Sequence, residues 1–296
     1  MKKHFSFVLF SLMVTLFYVS NVCVASAALR NLLSEFRSAV SSNNIEKVQA
    51  LLKEGVDIND VAKFVIVNSP AKSNGSFYVS LIETVAKVKG GKKALQNNFP
   101  PDDDGNFYRK FNDIPNAVLK ALLEAGIDPD AQITSGFFYS ILDMFWNNGR
   151  FIFQTLSKEY TQSHTASQVI ERVKILVDNG AKTDFWFGFD TRSAGQYFVE
   201  NSWEDLVKAL TSSEAVKEKY TSYFTKVINI LKDAGADMTK AKEFLKDKRD
   251  DYRNYPDVIA YINQLDEIIT GSFWQNWKWW IIIGFIALVA VFGSKG

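Results

Sequence analysis

Apolar residues recur at helical spacing in four stretches of this chain, and each stretch ends on a glycine. The first carries Ile45, Val48, Leu51 and Leu52 before Gly55. A later one carries Val169, Val173, Leu176 and Val177 before Gly180, and the last carries Phe224, Val227, Ile228 and Leu231 before Gly235. A fourth neighbourhood, LKALLEAGIDPDA around Gly126, reads the same way beside VQALLKEGVDIND, VKILVDNGAKTDF and INILKDAGADMTK. Apolar positions three and four apart put one face of a helix against a core. A glycine just past the last apolar position supplies the left-handed residue on which a helix can stop. Asp57, Asp128 and Asp237 follow two residues later, where a short carboxylate can accept from nearby backbone N–H groups. The pattern predicts an all-α chain built from a recurring helix, stop and turn.

At these residues the chain resembles the ankyrin repeat family, whose second helix and stop are similar to Asn44 through Asn59 and, in the latter half, to Leu231 through Asp237. The resemblance implies an ankyrin-like helix-pair repeat stack, a solenoid, over residues 28–270, with stops near 55, 126, 180 and 235. It departs from the family in spacing. The glycines stand 71, 54 and 55 residues apart, against a family period of about 33. Val79 to Ala86, Tyr139 to Phe145 and Ala194 to Val199 are read as first helices, each followed by an insertion of some 20 to 40 residues before the second. Lys89 to Asp113, with Gly90-Gly91 and Pro100-Pro101, reads as a loop. Phe151 to Thr165 and Glu204 to Tyr220 read as charged helical extensions, and 240–269 as closing helices broken near Pro256.

The two ends carry a different pattern. Lys2-Lys3, an apolar run from Phe5 to Tyr18 and Ala25-Ser26-Ala27 have the three-part layout of a signal peptide over 1–27, cleaved after Ala27. Near the other end, a linker over 271–277 leads into an apolar stretch over 278–293 and a tail over 294–296. Trp274, Trp277, Trp279 and Trp280 are the rings expected at a membrane interface, so 278–293 reads as one transmembrane helix. Lys295 then falls on the cytoplasmic side and the repeat domain on the periplasmic or extracellular side.

Composition narrows the function. Apolar residues make up 47%, enough for a core, and 34 Lys and Arg balance 33 Asp and Glu. Without a basic excess there is no electrostatic case for nucleic acid. The only Cys is Cys23, and the two His are His4 and His164. A processed chain would hold neither thiol nor disulfide and one imidazole, so no metal, cofactor or catalytic residue is assigned. Asp102, Asp103 and Asp104 read as a solvated loop, and His164 as a helix cap or surface residue. The resemblance implies binding of another protein through turn fingers. Phe137 and Phe138 follow the stop at Gly126, and Phe185, Trp186, Phe187 and Phe189 follow that at Gly180. These aromatics are candidate partner contacts, with core filling as the other reading. The expectation is a membrane-anchored interaction module and not an enzyme. A secreted effector with a membrane-inserting tail, or an accessory subunit of an envelope enzyme or transporter, are the alternatives.

Overall fold

A computed structural model describes residues 30–69, 75–99, 113–130, 150–187 and 190–271. The leader over 1–27, Phe137, Phe138 and Phe189, and the tail with Trp274, Trp277, Trp279 and Trp280 lie outside the described residues. The chain divides into two compact units, Met1–Phe137 and Phe138–Gly296.

The first unit contains α1 (30–41), α2 (Ile45–Glu54), α3 (Ile58–Asn68), α4 (Gly75–Lys87), α5 (Gly91–Asn97) and α6 (Asn116–Glu124). Asn44 starts α2 by accepting the N–H of Lys47, and Val48, Leu51 and Leu52 form its buried face. The helices fall into two rows. In one, α2 packs beside α4 and α4 beside α6. In the other, Phe36 of α1 meets Phe64 of α3 edge to face at 5.9 Å, and α3 packs beside α5.

The second unit contains α7 (Phe151–Thr155), α8 (Lys158–Ser163), α9 (Ala166–Asp178), β1 (Asp184–Phe187), β2 (Asp190–Ser193), α10 (Ala194–Leu210), α11 (Glu214–Asp233), α12 (Thr239–Asp251) and α13 (256–271). Two rows recur. Phe153 of α7 meets Tyr197 of α10 at 5.3 Å, and Trp203 of α10 meets Phe244 of α12 at 5.7 Å. In the other row α9 packs beside α11, and Phe224 of α11 meets Tyr261 of α13 at 6.4 Å. Phe198 joins the rows, 4.8 Å from Phe224 and 5.9 Å from Tyr223. These rings carry much of the apolar area removed from water, the main stabilising term in such a core.

Several expectations are corrected. The regular elements among the described residues are helices except for one antiparallel hairpin, in which Asp184 pairs with Ser193 and Phe187 with Asp190. Aromatic residues favour extended backbone, and that preference wins locally over the helical pattern around it. Val79 to Ala86 is not a first helix awaiting its partner. It lies in α4, in the row of the glycine-stopped helices α2 and α6. The stretch between Gly55 and Gly126 therefore holds helices α3 to α6 and not a single pair with an insertion. Gly90 has φ +81° and stands between α4 and α5, so the stretch read as a loop contains a helix junction. Glu204 to Tyr220 is divided between the end of α10 and the start of α11. Phe151, Ile152, Phe153, Leu156 and Tyr160 are buried, so the first part of 151–165 is core, whereas Lys158 and Glu159 of α8 are exposed. The closing segment breaks at residues 252–255, beside Pro256. No helix among the described residues is long and apolar enough to cross a membrane.

Candidate functional site

The four glycine stops share one geometry. Gly55, Gly126, Gly180 and Gly235 have φ of +95°, +96°, +84° and +88°. After each, a small or branched apolar residue donates its N–H five residues back. Val56 donates to the Leu51 carbonyl at 3.3 Å, Ile127 to Leu122 at 3.1 Å, Ala181 to Leu176 at 3.0 Å and Ala236 to Leu231 at 3.0 Å. Donor and acceptor residues are all buried. This is the paired hydrogen-bond and apolar contact of a Schellman stop. The turn that follows also repeats. Asp57, Asp128 and Asp237 accept the N–H two residues on, from Asn59 at 2.8 Å, Asp130 at 2.9 Å and Thr239 at 2.8 Å. Lys182 stands at that place in the third copy, where the chain runs into β1 instead.

Of the finger aromatics, Phe185, Trp186 and Phe187 form β1. The hairpin is anchored at its base, where Ala194 donates to the Thr183 carbonyl at 2.7 Å. Asp184 reaches the next turn by accepting the N–H of Asp237 on both oxygens, at 3.0 and 3.1 Å.

A wide hollow lies elsewhere in the second unit. An open groove of about 950 Å³ runs between the start of α9 and the first half of α11, with Thr161 and His164 of the α8 end at its margin. Helix lengths explain it. Both helices end at a glycine stop, but α11 has 20 residues and α9 has 13. The seven extra residues project α11 about 10 Å beyond its neighbour at 1.5 Å per residue. Ile170, Val216, Tyr220 and Tyr223 line the apolar part, and Lys219 and Lys226 are the charged residues of α11 that line it. Val216 is 47% exposed.

Burial sets the state of the phenols below. Tyr223 is 7% exposed and its hydroxyl has no hydrogen-bond partner among the described residues. Desolvation first, then the neighbouring Tyr220 and Asp205, push its pKa above the ordinary tyrosine value. Tyr220 is raised in the same way, against a lowering hydrogen bond with Ser202. Both phenols stay neutral at physiological pH.

One buried cation went unnoticed in the sequence. Arg172 is fully buried, with its guanidinium 4.9 Å from the centre of the Tyr160 ring. On the same tyrosine the His164 ring stacks at 3.9 Å. Burial lowers the Arg172 pKa, opposed by the charge and hydrogen bond of Tyr160. Arg172 sits between Val169, Val173 and Leu176 on the core stripe of α9, so the helical spacing that found those residues also marked it. His164 itself terminates α8, its Nδ1 lying 3.1 Å from the Tyr160 carbonyl and 2.9 Å from Ser163 Oγ. The Ser163 hydroxyl has one proton and lies 2.7 Å from the Glu159 carbonyl, so this contact is a helix cap. Among the described residues no three His, Cys, Asp or Glu side chains cluster to hold a metal.

No family model, curated protein or solved structure matches this chain.

Proposed function

We propose that this protein is an exported, membrane-anchored interaction module, an ankyrin-like stack of helix pairs that binds another protein on the non-cytoplasmic side and catalyses no reaction. What supports the stack is the recurrence of one helix stop at four places, with the same left-handed glycine and the same bond to the leucine five residues back. Units that repeat in this way bury their apolar faces on each other and leave long surfaces for partners. The near-balance of charge and the scarcity of Cys and His favour a protein partner over nucleic acid or metal chemistry. The anchor rests on the Trp-rich apolar segment over 278–293 and the export on the leader over 1–27.

The test is chemical crosslinking in intact cells, followed by solubilisation of membranes and capture of the full-length chain through a tag. One protein recovered in stoichiometric amount, with the repeat region open to protease added outside the cytoplasm, is the expected result. A chain recovered alone, or protected from external protease, would overturn the reading.

A further inference from the structure

We infer that the groove beside the first half of α11 is the seat of an acidic amphipathic helix supplied by the partner protein. The inference rests on the interaction-module reading and names the surface and chemistry it uses. Helices of this row pack side by side through their apolar faces, as α9 does on the latter part of α11. Alongside the first two turns of α11 that neighbour is missing, because α9 starts seven residues too late. A helix packed on α11 would stand about 8–10 Å from it, axis to axis. The apolar wall of the groove is in place, with Ile170 on one side and Val216, Tyr220 and Tyr223 on the other.

Charge selects the occupant. Lys219 and Lys226 line the groove from α11, both exposed, and no carboxylate lines it. Elsewhere on α11 the cations are used. Lys217 reaches Glu214 and Asp257 at 3.7 and 3.3 Å, and Lys232 donates to the Ile268 carbonyl at 2.9 Å. Lys219 and Lys226 make no ion pair among the described residues. Seven residues separate them, two helical turns or about 10 Å. Lys219 lies beside the missing neighbour and Lys226 beside the start of α9, so a helix laid along the groove over both stretches meets them with acidic residues seven apart and apolar residues on the stripe between them. The first turn of α9, through Thr165, Ala166 and Ser167, also lines the groove. It adds the partial positive charge of a helix N-terminus. An anionic lipid chain offers one charged end and does not match two cations at this separation.

The experiment uses the full-length chain in zwitterionic nanodiscs and two fluorescent stapled peptides of about four helical turns. Both carry a leucine face. One has glutamates at seven-residue spacing beside it, and the other has lysines at the same places. Anisotropy should show the acidic peptide binding and the basic one not. Lys219→Glu with Lys226→Glu should weaken the acidic peptide by about tenfold or more and bring in the basic one. Since both lysines are exposed, an unchanged melting curve checks the fold of the double variant. Equal binding of the two peptides, no binding of the acidic one, or indifference to the double substitution would overturn the inference. So would displacement of the peptide by anionic phosphatidylglycerol vesicles that bind the wild-type groove more tightly, which would assign it to lipid. Failure here with a protein still captured from crosslinked membranes removes the groove and leaves the module. Peptide binding with no captured protein does the reverse.

Discussion

Both carboxylate oxygens of Asp184 accept the backbone N–H of Asp237, at 3.0 and 3.1 Å, across 53 residues of sequence. The contact ties the first residue of β1 to the turn that launches α12. Asp237 is held below the usual carboxylate range by its hydrogen bonds with Thr239 and by Lys240. Asp184→Ala should lower stability by about 1 kcal/mol, the ordinary worth of a partly exposed hydrogen bond to a charged acceptor. Hydrogen exchange should show the Asp237 and Thr239 amides opening first. A variant whose α12 amides exchange as in the wild type would show that the turn stands without this tie.

Glycine substitutions separate backbone strain from collision. At Gly180 there is open space for a Cβ but φ is +84°, so Gly180→Ala should cost about 1 kcal/mol through conformation alone. A Cβ on Gly91 would run into the carbonyl oxygen of Val85 at the end of α4. Gly91→Ala should cost about 2 kcal/mol or more, because backbone has to move to admit it. Urea midpoints of the two variants test the order. A Gly91→Ala chain as stable as wild type would contradict the close approach of α5 to α4.

Two phenols on the α11 to α13 side should respond in opposite directions. Tyr261 donates to the Thr221 carbonyl at 3.0 Å and shares a hydrogen bond with Thr225 at 2.9 Å. Tyr223 keeps its ring contacts, but its buried hydroxyl has no partner among the described residues. Removing a bonded buried hydroxyl costs about 1 kcal/mol, whereas removing an unsatisfied one recovers a similar amount. Tyr261→Phe should therefore melt lower than wild type and Tyr223→Phe should melt at the same temperature or higher. Equal losses at both sites would show that the Tyr223 hydroxyl has found a partner in solution.

Alkaline pH should destabilise the second unit above the pH at which tyrosine ionises in a free peptide. Burial pushes the Tyr261 pKa up to about 12, opposed by its hydrogen bond with Thr225. The fold holds the neutral phenol, so this contribution is complete below about pH 10, the unfolded value. It is lost as the pH rises from there to about 12. Over that window each such phenol lowers stability by about 1.4 kcal/mol per pH unit. Urea titrations at several alkaline pH values should give a steep fall that Tyr261→Phe flattens. An identical slope in the variant would place the titration on other groups.

Much of this fold is written in short-range signals, and those were legible before any coordinates. Leucine five residues ahead of a small apolar residue, glycine between them and aspartate one residue after that residue define a stop within eight residues of chain, because every bond involved is local. The break beside Pro256 is local too. What the sequence alone left open was which helices lie side by side, since that depends on contacts between distant residues. Helical spacing identified Val79 to Ala86 as a helix but could not assign it to the row of α2 and α6; packing did so. Gly90-Gly91 has the composition of a loop, and it became a helix junction because Gly91 lies against Val85 across a tight turn. Arg172 stood on an apolar stripe all along, and its place inside follows from the Tyr160 ring available to receive it. The groove is the clearest case, because neither α9 nor α11 contains it. Sequence set the two helix lengths, and the packing of α9 beside α11 turned a difference of seven residues into an open groove.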